Sequence, residues 1–183
     1  MPFGDGSGMD AKRRLAAPRA AQVLGCAAPR FVGFPENRSD AMPLLDVVKA
    51  IERAVGEIAP ATVYVPHGGN LNVDHQTAYR AAMTVLRPMP GIGVGEIFAY
   101  EVLSSTEWAP SPVYAPFIPN RIVDITRVLD AKLKALDCYA AEMREAPHTR
   151  SVEGVRALAT HRGMSAGFAA GEAFAVVRQI VRF

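Results

Sequence analysis

The stretch that decides the fold runs from Thr62 to His75 and reads TVYVPHGGNLNVDH. Its first four residues are apolar or β-branched, which favours a strand. A polar, glycine-rich loop follows, and Asp74, a residue type that caps helices, predicts the start of a helix that ends near Arg87, before Pro88. A strand, a polar loop and a helix in this order are typical of α/β proteins.

The flanking segments continue this alternation. Apolar residues recur at helical spacing from Leu44 to Ile58, which predicts an amphipathic helix. The other predicted helices run from Asp10, as N-cap, to Gly25 with Pro18 kinking or splitting the helix, from Thr126, as N-cap, through Met143, and from Ser151 to Arg162 with Gly163 as the stop. The other predicted strands lie at residues 30–34, 96–103, 122–125 and about 173–177.

This order predicts an α/β sandwich with a mostly parallel sheet. Ligands of such sheets bind beyond the carboxyl ends of the strands. The loops after Phe34, Val65 and Leu103 are therefore the first places to look for a functional site.

Length and composition narrow the class of protein. The 183 residues suggest a single domain over residues 1–183, and a 50% apolar content allows a normal core. A net charge of +2 with no run of basic and aromatic residues argues against nucleic acid as a partner. Short apolar stretches predict no membrane span. The start of the chain does not resemble a signal peptide, and Cys26 and Cys138 lie far apart, so we expect a cytoplasmic protein.

Two of the four histidines, His67 and His75, lie in the loop and helix start that follow Val65. An imidazole held at a rigid turn suits a divalent metal, but it also suits a hydrogen bond to a backbone carbonyl. Catalytic zinc takes three protein ligands, and this stretch offers one or two. Asp74 could orient a ring or cap the helix.

Two further polar clusters suit sugar recognition. Arg38, in a loop between Asn37 and Asp40, could bind a carboxylate, a phosphate or sugar hydroxyls, or could pin the loop by a salt bridge. The segment from Ser104 to Trp108 contains hydroxyls, Glu107 and the one tryptophan. Its indole could stack on a sugar ring or anchor the loop in the core.

Five motifs in this order make the chain resemble the LmbE/PIG-L family of de-N-acetylases, from about Arg13 to the tail. They are Gly33-Phe34-Pro35-Glu36-Asn37-Arg38, Leu44-Leu45-Asp46-Val47-Val48, Asn70-Leu71-Asn72-Val73-Asp74-His75, Glu101-Val102-Leu103-Ser104-Ser105-Thr106-Glu107-Trp108 and Pro147-His148-Thr149-Arg150-Ser151. Five ordered motifs are more specific than any one of them.

The resemblance implies a Rossmann-like three-layer sandwich and zinc-dependent removal of an N-acetyl group from a GlcNAc-type sugar conjugate. His75 matches the family's late zinc ligand. Asn72 stands where some relatives carry a histidine that stabilises the oxyanion, with His67 as a stand-in, and Asp74 completes the expected catalytic set. The residues expected to bind substrate are Asn37, Arg38, Glu107, Trp108, His148 and Arg150.

The chain departs from the family at its front. Family members begin with a strand that ends in His-Pro-Asp-Asp, which supplies two zinc ligands and the general base. This sequence has no such motif, and Phe3-Gly4-Asp5-Gly6 resembles the tail of the family's second strand. We therefore expect a sheet that lacks its first strand and a Zn²⁺ site that is incomplete in this chain.

Two hypotheses follow. The chain is a deacetylase read from too late a start or a fragment of one, or it is a non-catalytic remnant that binds sugars or acts as a scaffold. A third, for which the sequence offers no evidence, is that another copy in a homo-oligomer supplies the missing ligands. Loss of a central strand also predicts unpaired edges and a destabilised or poorly soluble chain.

Overall fold

A computed structural model describes residues 7–91 and 93–181 of the chain. The predicted strand tail at Phe3–Gly6 lies outside the described residues. The helices and strands, in chain order, are α1 (Ser7–Leu24), a short 3-10 helix (Ser39–Ala41), α2 (Leu44–Ile58), β1 (Thr62–Pro66), α3 (Val73–Val85), β2 (Glu96–Tyr100), β3 (Arg121–Asp124), α4 (Leu129–Asp137), α5 (Val152–Met164) and β4 (Gly171–Gln179).

The four strands form one open sheet in the order β1-β2-β4-β3. β1 and β2 are parallel, with Tyr64 opposite Phe98. β4 runs antiparallel to β2, with Phe98 opposite Val176. The predicted α/β class is confirmed, whereas a mostly parallel, Rossmann-like sheet is not, because the last strand of the chain enters the middle of the sheet against the direction of β2.

The chain folds into two compact units. The first comprises Met1–Glu36 with Val123–Glu172, and the second comprises Asn37–Ile122 with Ala173–Phe183. Each unit is therefore built from two separate stretches of the sequence.

In the second unit, α2 packs against α3, and α3 packs against β1. The buried core cluster consists of Val65, Ala82, Leu86, Val94, Ile97 and Ala99. Ile51 and Val55 of α2 pack against this cluster. The predicted bounds of α2, Leu44 and Ile58, are confirmed. Alternate side chains of β1 and β2 supply the core, as expected for a sheet face covered by helices.

In the first unit, α1 packs against α4. A second core cluster joins Ile125, Ala159 and Ala170. Arg13 of α1 donates from Nε to Glu142 and from a terminal nitrogen to Glu36. The hydrogen bonds to these carboxylates, first of all to Glu142, raise the pKa of the Arg13 guanidinium. The Arg13–Glu142 ion pair links α1 to a residue 129 positions away in the sequence.

The strand predicted at residues 30–34 is wrong. No strand is assigned there, and Phe31 and Val32 are exposed. Gly33 has a φ of +82°, which breaks the extended conformation. Residues of high β propensity form a strand only when a neighbouring strand completes their backbone hydrogen bonds. None does so in the described part of the chain.

Several helix ends differ from the predictions. Thr126 does not cap a helix, because α4 begins at Leu129 with Val128 as its N-cap. α4 ends at Asp137 rather than Met143. Asp10 lies inside α1, which continues through Pro18 as a single helix.

α5 runs one residue past Gly163. That glycine is required by packing rather than as a stop, because a Cβ there would lie 2.6 Å from the backbone of Ala170. Within the described residues, no helix has both the length and the apolarity needed to cross a membrane.

Candidate functional site

The loop after β1 and the loop after β2 lie side by side, because the two strands are parallel and end at the same edge of the sheet. The His67 N–H donates to the Tyr100 carbonyl at 2.9 Å. The Leu71 N–H donates to the Ser105 carbonyl at 3.2 Å. Backbone hydrogen bonds thus join the two loops that the sequence singled out.

Two glycines of the loop after β1 allow other parts of the same chain to approach it closely. A Cβ on Gly69 would lie 2.0 Å from the Ala115 carbonyl oxygen, and a Cβ on Gly68 would lie 2.6 Å from the Tyr79 ring. Contacts this short are not tolerated by any other residue type without movement of the backbone or ring. Gly68 and Gly69 are therefore needed for close packing.

His67 holds the proline-rich segment that follows the loop after β2. Its Nε2 lies 2.9 Å from the Ala115 carbonyl oxygen, and this hydrogen bond to backbone is the alternative to metal ligation. Its ring packs edge-on against Phe117, with ring centres 5.3 Å apart. His67 therefore holds residues 115–117 against the loop after β1 through one imidazole nitrogen and its ring.

Asn70 is fully buried and joins both loops through its side chain. Its Nδ2 donates to Thr106 Oγ1 at 3.0 Å, and its Oδ1 accepts from the Asn72 N–H at 2.9 Å. Gln76 Nε2 donates to the Asn70 carbonyl at 2.7 Å. A buried amide whose hydrogen bonds are made fixes the relative position of the groups it joins.

Asn72, rather than Asp74, is the N-cap of α3, so the predicted cap is wrong. Its Oδ1 accepts from the Asp74 N–H at 2.8 Å and from the His75 N–H at 3.2 Å. Its Nδ2 donates to Asn37 Oδ1 at 3.3 Å. Both residue types cap helices well, so the sequence alone could not choose between positions two residues apart.

The Asp74 carboxylate instead holds the loop that contains Arg38. Oδ2 accepts from the Asn37 N–H at 2.6 Å, and Oδ1 accepts from the Ser39 hydroxyl at 2.6 Å and the Ser39 N–H at 3.2 Å. Asn37 has a φ of +52°, in the left-handed region that asparagine tolerates. Arg38 is exposed between these two tethered residues.

His75 lies in the first turn of α3 and is half-buried, with a buried Nδ1. Across residues 7–91 and 93–181, no three His, Cys, Asp or Glu side chains are grouped so as to hold a metal ion. The nearest carboxylate in sequence, Asp74, is engaged by residues 37 and 39. The described donor set therefore does not fit a catalytic zinc site, which needs three protein ligands.

The loop after β2 is stabilised by Glu107. Its carboxylate accepts from the Ser104 N–H at 2.6 Å and the Ser105 N–H at 3.3 Å, and Ser104 has a φ of +65°. Trp108 is 49% exposed, so its indole is accessible to a ligand rather than buried as an anchor. A half-exposed indole can stack on a sugar ring.

His148 and Arg150 belong to the first unit, whereas the other predicted site residues belong to the second. His148 Nδ1 accepts from the Arg150 N–H at 3.0 Å, and the Arg150 guanidinium lies 3.6 Å from the Glu142 carboxylate. Their role in substrate binding stays a prediction.

Sequence reasoning missed the parts played by Ser39, Gln76 and Thr106. Each is an ordinary polar residue whose importance comes from a partner more than five positions away. Ser39 could have been noticed only as a hydroxyl beside Arg38, which is a weak signal.

The fold and the joined loops define an α/β protein with a polar site at the carboxyl edge of its parallel strands. A family model described as PIG-L, GlcNAc-PI de-N-acetylase, matches residues 4–86. The predicted resemblance to the LmbE/PIG-L family is thereby confirmed. A search of curated proteins found no match.

Solved structures share the fold over nearly the whole chain. N,N'-diacetylchitobiose deacetylase from Pyrococcus horikoshii is 20% identical with a TM-score of 0.71, and the match covers 97% of this chain and 68% of that one. A zinc-inhibited form of the teicoplanin deacetylase Orf2 is 17% identical with a TM-score of 0.64, over 94% and 76%. The 4-carboxy-2-hydroxymuconate hydratase GalB from Pseudomonas putida KT2440 is 20% identical with a TM-score of 0.68, over 99% and 78%. Because one of these is a hydratase, the fold alone does not fix the reaction.

Proposed function

We propose that the chain is an amide hydrolase that removes the N-acetyl group from a GlcNAc-type sugar conjugate. The observation that carries the proposal is the position of His75, capped into the first turn of α3 by Asn72 beside the joined loops after β1 and β2. The family match over residues 4–86 and the deacetylase structures with the same fold support it.

The residues divide into three proposed roles. Asn72 would hold the amide carbonyl, because its Nδ2 carries a second hydrogen besides the one donated to Asn37 Oδ1. His67 is proposed as a stand-in that would exchange its Nε2 bond to the Ala115 carbonyl for one to the substrate carbonyl. Arg38 and Trp108 would bind the sugar, by forked hydrogen bonds and by stacking respectively. Asn37 and Glu107 would shape this surface. For His148 and Arg150, substrate binding is proposed on the family resemblance alone.

Zinc dependence is proposed on the family resemblance, with His75 as this chain's ligand. The teicoplanin deacetylase structure, described as zinc-inhibited, is consistent with metal binding in related proteins. The described residues contribute no complete ligand set, so the remaining ligands would have to come from outside them.

The test is release of acetate and a primary amine from N-acetylglucosamine and N,N'-diacetylchitobiose, with zinc in excess. We expect release that stops with a chelator and with His75→Ala, while His161→Ala on α5 keeps full activity as the matched control. Release that continues unchanged in His75→Ala would contradict the assignment of that residue.

A non-catalytic sugar-binding protein is the second candidate. It is favoured because the Asp74 and Glu107 carboxylates both accept hydrogen bonds from loop backbone rather than standing open for acid–base chemistry. Trp108 is the one tryptophan of the chain, so its fluorescence reports binding at this loop directly. A saturable fluorescence change with the same sugars, without any acetate release, would select this function.

A further inference from the structure

The three hydrogen bonds accepted by Asp74 form a clamp between two parts of the second unit. One part is the first turn of α3, which carries His75. The other is the turn formed by Asn37, Arg38 and Ser39, whose backbone is bound on both sides of Arg38 at 2.6 Å and 3.2 Å. The clamp therefore acts on Arg38 through its two neighbours.

A second contact reinforces the clamp from the helix cap. Asn72 Nδ2 donates to Asn37 Oδ1 at 3.3 Å, while Asn72 Oδ1 caps α3. The left-handed φ of Asn37 is thus held by its own side chain and by Asp74 together. Backbone in a sparsely populated region persists when surrounding contacts over-determine it, and such positions cluster at functional sites.

The geometry of Asp74 differs from that of a general base. Its two oxygens accept three hydrogen bonds from this loop, so both oxygens are directed at the Asn37–Ser39 turn. A base needs an oxygen directed at the proton that it removes.

We propose that Asp74 is a positioning residue, which locks the Asn37–Ser39 turn onto the first turn of α3 and thereby fixes the place from which Arg38 meets the sugar substrate. The proposal rests on the deacetylase function proposed above for the meaning of Arg38. The clamp itself rests on the hydrogen bonds alone.

The kinetic test compares Asp74→Asn, Ser39→Ala and the double variant with wild type. Hydrogen bonds to a carboxylate are strong enough that losing the clamp should raise KM by about tenfold in Asp74→Asn, with a small change in kcat. Ser39→Ala should raise KM less. The double variant should be no worse than Asp74→Asn alone, because both changes break one interaction.

A fall in kcat with unchanged KM, together with loss of the acidic limb of the pH profile, would instead make Asp74 an acid–base group and overturn the proposal. Glu52→Gln on the exposed side of α2 removes one negative charge without touching the clamp, and serves as the matched control.

Amide hydrogen exchange tests the clamp without any activity. The Asn37 and Ser39 amides should exchange slowly in wild type and faster in Asp74→Asn, with Ser39→Ala intermediate. Unchanged exchange at both amides in a folded Ser39→Ala and Asp74→Asn would refute the clamp. Absence of deacetylation in wild type, with exchange behaving as described, would count against the proposed function and leave the clamp intact.

Discussion

Polar residues in the loops after β1 and β2 bind mainly to one another. Asn70, Asp74 and Glu107 each accept a backbone N–H group of a tight turn. The sequence predicted that these loops matter, because glycines and polar residues follow apolar strands. It could not predict which acceptor serves which donor, since that choice depends on partners such as Ser39, 35 residues from Asp74.

Replacement of Asn70 tests the buried link between the two loops. Asn70→Ala should lower the free energy of unfolding by about 2 kcal/mol, because the Asn72 N–H and Thr106 Oγ1 lose a partner in the interior. Urea denaturation measures the change. Thr106→Val removes the other side of this bond and also the acceptor of the Val102 N–H, and the double variant should be less destabilised than the sum of the two single changes. Additive effects would show that the side chains do not act together.

The paired glycines give a second test at single positions. Gly69→Ala should be strongly destabilising, because its Cβ meets the Ala115 carbonyl oxygen at 2.0 Å. Gly56→Ala is the matched control, since nothing lies within 4 Å of a Cβ there and Gly56 is inside α2. We expect the control to raise the midpoint of thermal unfolding, by a helix gain of about 0.5–1 kcal/mol. Unchanged stability in Gly69→Ala would contradict the close contact between residue 69 and the Ala115 carbonyl oxygen.

At the scale of elements, the sequence predicted the helices and strands that depend on the pattern of neighbouring residues. α2 follows from helical spacing of its apolar residues, and β1 and β4 follow from β-branched or apolar runs. The prediction of a strand at residues 30–34 is wrong, because a strand also needs a second strand to pair with, and the sequence of a segment does not specify its partner. The predicted mostly parallel sheet is not confirmed for the same reason, since the antiparallel pairing of β4 with β2 depends on residues far apart in the sequence.

Glu96 links three strands of the sheet and gives a pH-dependent prediction. It accepts from Gln179 Nε2 of β4 at 2.7 Å and from Thr62 Oγ1 of β1 at 2.9 Å. These bonds, the Gln179 bond first, lower the pKa of Glu96 below its ordinary value of 4.5. A lowered pKa in the folded state stabilises the fold above the unfolded-state value, and this stabilisation is lost as the pH falls through the folded value.

We therefore expect wild type to be more stable than Glu96→Gln near neutral pH. The difference in the free energy of unfolding should shrink as the pH falls below about 4.5. Urea denaturation at several pH values measures it. Thr62→Val should show a smaller effect of the same sign, and a difference that grows towards acid would contradict the role assigned to Glu96.

At the scale of the whole molecule, an open strand edge and several exposed apolar side chains are expected to lower solubility. β1 is an edge strand of the described sheet, and Tyr64 in its middle is 50% exposed. Phe31, Val32 and Leu45 are also exposed. Open strand edges and exposed apolar side chains promote association.

This arrangement predicts a chain that melts broadly and associates as its concentration rises. Differential scanning calorimetry together with light scattering over a concentration series measures both properties. A sharp, cooperative melt from a clean monomer at every concentration would contradict the prediction.

We propose that this chain carries the surroundings of a deacetylase site and contributes His75 to metal binding. The most direct measurement is zinc per chain, by elemental analysis after dialysis against metal-free buffer, in wild type and His75→Ala. Because the described residues supply one matched ligand, we predict zinc well below one equivalent in both proteins, with hydrolysis requiring zinc in the assay. Stoichiometric zinc that survives dialysis in both proteins would contradict the prediction, since the site would then be complete and would not depend on His75.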